Sequence, residues 1–231
     1  MRKVARFLAW LAVAAATLFL AVQLSFLARV WWWRDHNPAG TAFMQTRLDQ
    51  LRARDREAKL RHSWVPYDRI APSLKRAVVV AEDAKFSDHE GFDWEAIEKA
   101  REKNRQKGKI VAGGSTISQQ LAKNLFLSGE RSALRKGQEA LITVMIEHVM
   151  DKRRILEIYL NVIEWGDGVF GAEAAARHYF GVGSGSLNAE QAARLAAMVP
   201  NPRFYDRNRN TAYLARRTQT ILTRMPAAEL P

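Results

Sequence analysis

Two short blocks of this chain carry residue types able to do chemistry. Residues 82–91 read EDAKFSDHEG, and about twenty positions later residues 113–124 read GGSTISQQLAKN. The first block sets two adjacent carboxylates at the end of the apolar run 78–81. Apolar neighbours penalise the charged form of a carboxyl, which raises its pKa and moves Glu82 toward general acid/base use. Asp83 points about 100° away on a helix, which predicts a separate, structural role. The competing reading is two solvated residues at a helix end, and an ED pair alone favours it. His89 has no second histidine at metal-ligand spacing and reads as a hydrogen-bonded structural residue.

In the second block a glycine pair lets the backbone approach a ligand closely. Ser115 or Thr116 can cap the helix that follows, and the N–H groups and dipole of that helix start favour an anion. Thr116, Gln119, Gln120 and Lys123 share one side of the helix. A polar stripe ending in lysine suits a sugar-phosphate, while a plain solvated face explains the spacing equally. It is not a nucleotide-binding loop, since the G-x-x-x-x-G-K-[ST] spacing is absent. Residues 131–139 (RSALRKGQE) add Arg135 and Glu139, an i, i+4 pair that can simply stabilise its helix. The functional reading makes Glu139 a second active-site carboxylate and Arg131 a phosphate contact, because guanidinium donates two hydrogen bonds at once. Residues 166–171 (GDGVFG) match G-x-G-x-x-G but follow a helical pattern, so they read as a glycine-rich turn between helices.

The elements that must position these residues are helices. Leu74, Ala77, Val78 and Ala81 form an i, i+3, i+4, i+7 stripe, predicting a helix from Pro72 or Ser73 to Glu82 or Asp83. A second helix is expected from Asp93 or Trp94 to about Lys103, followed by a basic loop over 101–109. One long helical stretch is expected over 132–162, and a short alanine-rich helix over 172–180. Asn188 with Gln191 makes a capping box for a helix ending before Pro200, and Asn210 caps a last helix through Arg224. Residues 43–62 read as an exposed or interfacial helix. Few windows alternate at period two, so the fold class is mainly α.

The chain has 231 residues, 48% of them hydrophobic, enough for one sizeable folded domain. Without cysteine it has no disulfides and no thiolate chemistry. The net charge of +12 suits an anionic membrane surface or a phosphate-bearing substrate. Basic residues are spread along the chain instead of clustering on one recognition helix, which argues against nucleic acid. Residues 7–28 contain no charge and are long enough to cross a hydrocarbon core of roughly 30 Å. Arg2, Lys3 and Arg6 precede this run, and Trp31, Trp32 and Trp33 follow it. That pattern puts the N-terminus in the cytoplasm and an aromatic belt at the far interface. The run exceeds the apolar core of about 7–15 residues in a signal peptide, so an uncleaved anchor is expected.

Taken together, the ordered blocks at 82–91, 113–124, 135–139 (RKGQE), 152–161 (KRRILEIYLN) and 171–181 (GAEAAARHYFG), with the segment 194–200, resemble glycosyltransferase family 51, the peptidoglycan glycosyltransferases. The resemblance is to the single-domain, membrane-anchored kind of Gram-negative bacteria and covers about residues 43–225, with no transpeptidase domain expected. It implies a mainly α, lysozyme-like fold. The organisation would be a cytoplasmic N-terminus (1–6), a transmembrane anchor (7–30), an interfacial linker (31–42) and the glycosyltransferase domain (43–225). It implies polymerisation of lipid II into β-1,4 glycan strands, with Glu82 as general base and inversion at the donor carbon. Lys123 and Arg131 would hold the pyrophosphate, and Glu139 would sit near it with a divalent cation (Mg or Mn). Ser115, Gln119, Gln120 and Asn124 would line the pocket. Expected partners are lipid II, the growing strand, membrane lipids and division or elongation proteins. The expected location is the inner membrane, with the catalytic domain periplasmic. The rivals are a glycan-cleaving enzyme of lysozyme-like fold, which would not need Lys123 and Arg131, and a non-catalytic membrane-anchored scaffold.

Overall fold

The computed structural model describes residues 2–109, 111, 113–127 and 132–231. Eleven α-helices, three short 3-10 helices and three short strands are formed by these residues. α1 (Arg2–Asp35) runs without a break through the apolar segment and is long and apolar enough to cross a membrane. α2 is Ala42–Arg52, α3 Pro72–Glu82, α4 Trp94–Lys107, α5 Ile117–Phe126 and α6 Ala133–Val149. α7 is Lys152–Val162, α8 Ala172–Phe180, α9 Ala189–Met198, α10 Pro202–Arg207 and α11 Ala212–Arg224. β1 (Arg61–His62), β2 (Glu164–Gly166) and β3 (Val169–Phe170) form a small sheet in the order β1-β3-β2. β1 is parallel and β2 antiparallel to β3.

α7 is buried over nearly its whole length from Ile155 and forms the middle of the core. α9 buries Ala192, Ala193, Ala196 and Ala197. Their small side chains let α3 and α11 pack closely on it, which fixes the end of α3 where Glu82 sits. Leu74, Ala77 and Val78 of α3 are wholly buried, as the stripe predicts.

Several expected boundaries move. The helix expected over 43–62 is only α2, and the chain then returns along β3 as β1. α2 is not simply a solvent- or lipid-facing helix either, because Arg47 is buried. Its guanidinium pairs with Asp167, lies 3.3 Å from Glu164 and donates to Gln50 at 2.8 Å. Glu164 also accepts from Arg203 at 2.9 Å, so one buried cluster ties α2 to β2 and α10. Burial pushes the Glu164 carboxyl up, and Arg203, the Gly168 N–H and Arg47 oppose that shift. The basic loop expected over 101–109 is helical to Lys107, since it consists of good helix formers until Gly108 closes the helix at φ +62°. The stretch 132–162 is two helices, because the Asp151 side chain accepts from Arg154 N and starts α7. Thr211 caps the last helix in place of Asn210. Residues 166–171 belong to a β-hairpin between α7 and α8.

Candidate active site

Glu82 ends α3 with its side chain only 10% exposed. Its Oε2 accepts from Gln120 Nε2 at 3.0 Å. Gln120 is itself oriented by Tyr159, whose hydroxyl donates to Gln120 Oε1 at 2.9 Å. Because the carbonyl end of the amide is occupied, its N–H end must face Glu82. Tyr159 is wholly buried on α7, and desolvation pushes its phenol well up, so it stays a neutral donor. Among the described residues Glu82 Oε1 accepts no hydrogen bond, and Arg217 Nη2 of α11 stands 3.6 Å away. Desolvation raises the Glu82 pKa above 4.5, and the Gln120 bond and Arg217 reduce the shift without cancelling it. A carboxylate with one oxygen held and the other unbonded is arranged to take a proton.

The rest of the first block holds that carboxylate in place. Asp83 is buried, accepting from Ile117 N at 3.0 Å and from His89 Nε2 at 2.9 Å. Gly91 N donates to His89 Nδ1, which leaves the Nε2 proton directed at Asp83. Lys152 donates to the His89 carbonyl. The start of α5 therefore receives an anion, but the anion is Asp83 and not a substrate group. Thr116 caps α5 in a capping box with Gln119, whose buried side chain is committed to that cap. Gly114 has its reason in α4, not in a ligand: a Cβ there would lie 2.8 Å from the Ile97 Cα.

Two cavities flank Glu82 and Gln120. One of about 260 Å³ is lined by Glu82, Asp83, Lys85, Asp93, Ser115 and Thr116. The other, about 570 Å³, is lined by Gln120, Lys123, Asn124, Glu164, Arg203 and Arg207, among others. The Glu82–Gln120 bond joins the wall of one to the wall of the other. The structure thus brings Glu82, Ser115, Gln120, Lys123 and Asn124 together around these cavities. Gln119 lines neither. Glu139 is buried on α6, with Arg135 at 2.8 Å and Lys136 on its two oxygens, and it also lines neither cavity. Arg131 lies outside the described residues. Arg203, Arg207, Arg217 and Tyr159 are not singled out by the sequence, since arginines in a basic chain and a tyrosine in an apolar helix carry no distinguishing signal.

Among the described residues the donor set does not make up a site for a resident divalent cation. Glu139 already faces two cationic side chains, and among the described residues no group of three His, Asp or Glu gathers at metal-binding distance.

A family model described as transglycosylase matches residues 48–226, most of the chain. The chain belongs to the transglycosylase family. The "Biosynthetic peptidoglycan transglycosylase" of Janthinobacterium sp. (strain Marseille) is 60% identical over 231 residues, the whole of both chains. The protein of the same description from Herminiimonas arsenicoxydans is also 60% identical over the whole of both. That of Chromobacterium violaceum is 62% identical over 218 residues, covering 94% of this chain and 96% of its own. The mainly α, lysozyme-like glycosyltransferase fold expected from the sequence holds for this transglycosylase.

In this transglycosylase, removing the Tyr159 hydroxyl frees the Gln120 amide to turn and leaves Glu82 less well held. Tyr159→Phe is expected to lower turnover about tenfold while substrate KM stays within twofold, since small misplacements of a reacting group are costly. Steady-state kinetics on the folded variant check this.

Proposed function

We propose that this peptidoglycan glycosyltransferase polymerises lipid II with Glu82 as the general base. The observation that carries the reading is the desolvated Glu82, oriented by Gln120 and Tyr159, with Gln120 lining a cavity that also holds Lys123 one turn further along α5. Glu82 takes the proton of the acceptor 4-hydroxyl as that oxygen bonds to the donor anomeric carbon. The bond from that carbon to the diphosphate breaks with inversion, and its electron pair leaves on the phosphate. The leaving group is anionic, so it needs positive charge more than a proton. Lys123 and Arg131 supply that charge. Glu139 holds Arg135 and Lys136 in the same basic segment. Ser115 and Asn124 line the sugar-binding walls, and Gln119 supports them from the helix cap. A divalent cation, where one takes part, arrives with the diphosphate of the substrate.

The anchor is read as uncleaved, in the inner membrane, with its N-terminus cytoplasmic and the catalytic domain periplasmic. Arg154 supports an uncleaved anchor, donating to the carbonyls of Trp33 and His36 and to Asn37, and so fastening the end of α1 to the domain. A shared membrane also raises the effective concentration of a lipid-borne substrate. Division or elongation proteins are the expected protein partners.

The test is labelled lipid II with the purified full chain in detergent and Mg²⁺. Muramidase-sensitive polymer supports the reading, whereas cleavage of isolated peptidoglycan without polymer favours the glycan-cleaving rival. Lys123→Ala, placed in a Glu82→Gln background so that turnover does not interfere, is expected to weaken lipid II binding roughly 10- to 100-fold, the scale of a charge-assisted hydrogen bond. Unchanged binding would remove the phosphate role from Lys123.

A further inference from the structure

The membrane anchor is joined to the helix that carries Glu139. In α1 the side chains of Gln23, Phe26, Val30 and Trp33 recur at i, i+3, i+7 and i+10, and these are the positions withdrawn from the exposed surface of that stretch. Val30 is wholly buried, while Phe26 and Trp33 pack on Phe126 at the end of α5. Gln23 makes a reciprocal amide pair with Gln138 of α6: Gln23 Nε2 donates to Gln138 Oε1 at 3.0 Å, and Gln138 Nε2 donates to Gln23 Oε1 at 2.9 Å. Gln23 is the only amide side chain in the uncharged run 7–28. It lies six residues before Arg29, about 9 Å along the helix. An amide that far into an apolar segment needs a protein partner, and Gln138 satisfies both its donor and its acceptor. Leu134, Leu141 and Val144 leave α6 with an exposed apolar face suited to the same depth.

We propose that Gln23 and Gln138 are positioning residues. Their pair fixes the rotation and depth of α6, and with them Glu139 and Arg135, so the anchor is a working part of the catalytic unit and not only a tether. Gln138 immediately precedes Glu139, so it faces about 100° away from it. Pinning one of these side chains to α1 sets the direction of the other, which is buried with Arg135 and Lys136 on its two oxygens. The inference rests on the reading that the 131–139 segment serves the substrate diphosphate.

The experiment uses the full chain in lipid nanodiscs with lipid II. Gln23→Leu and Gln138→Leu are each expected to lower kcat about tenfold with KM within twofold and an unchanged unfolding midpoint. The double variant should be no slower than the slower single, because the pair acts as a unit. Gln138→Glu, whose protonated carboxyl can make both bonds, should recover most of the rate. The chain has no cysteine, so Gln23→Cys with Gln138→Cys should also crosslink through a short bismaleimide in the bilayer. An active wild type beside fully active leucine variants, or a failure to crosslink, would overturn this inference alone. A wild type that makes no polymer would sink the functional reading, and this inference with it. A loss of rate that follows a lowered unfolding midpoint would reduce the pair to a packing contact.

Discussion

Glu82→Gln is expected to lower polymerisation by about 10²- to 10⁴-fold, the usual contribution of a general base, while lipid II still binds. Gln keeps the size of the side chain and an acceptor for Gln120, so the cavity walls stay in place. The same substitution should stabilise the fold at alkaline pH. Glu82 has a folded pKa above its unfolded value. Its stabilising contribution is therefore present below the unfolded pKa and is lost as pH rises through the folded one. Above its folded pKa the wild type carries a desolvated carboxylate and the Gln variant does not. The variant should then melt higher, by about 2–4 °C for each kcal/mol relieved, and the difference should close near pH 4. Thermal unfolding at pH 8 and pH 4 checks the sign. A Gln variant that melts lower at pH 8 would mean that Glu82 is held mainly by stabilising contacts and is not poised for chemistry.

The second large effect is structural. Arg47→Ala should destabilise the domain by about 3 kcal/mol, the lower end of what breaking a buried ion pair costs. The lower end applies because Glu164 keeps Arg203. Asp167 and Gln50 lose their partner, and α2 loses its polar tie to β2. Glu164 is already pushed up by burial, so without Arg47 it rises further, and acidification should recover part of the deficit by neutralising it. Denaturant unfolding at pH 8 and pH 5.5 tests both statements. A loss below 1 kcal/mol would show the cluster to be solvated. Because Glu164 and Arg203 also line the larger cavity, this variant should lose activity as well.

Much of this was legible in the chain because local signals and tertiary demands agreed. The stripe of α3, the Asn188–Gln191 capping box and the position of Glu82 beyond 78–81 each follow from spacing alone, and the structure has all three. The i, i+4 pair of Arg135 and Glu139 forms as well. What spacing could not reveal is which polar group meets which. Asp83 and His89 have the structural roles their sequence context predicts, but only the fold shows that they bond each other, that Asp83 accepts from the start of α5 and that the Thr116 hydroxyl donates to the Gly91 carbonyl. Gln119 and Gln120 are neighbours with different tasks, one closing a helix cap and the other holding Glu82. Arg47, Tyr159 and Arg217 come from segments far away in sequence, so only the packed helices disclose them. The strands were missed because two- or three-residue strands are too short for a period-two pattern to register.

The most direct measurement is the pH dependence of single-turnover polymerisation by the full chain with lipid II saturating. The account predicts a rate that rises with pH through one ionisation above 4.5, with that rise missing from the residual rate of Glu82→Gln. A rate independent of pH down to 4.5, or the same rise in Glu82→Gln, would contradict Glu82 as the base.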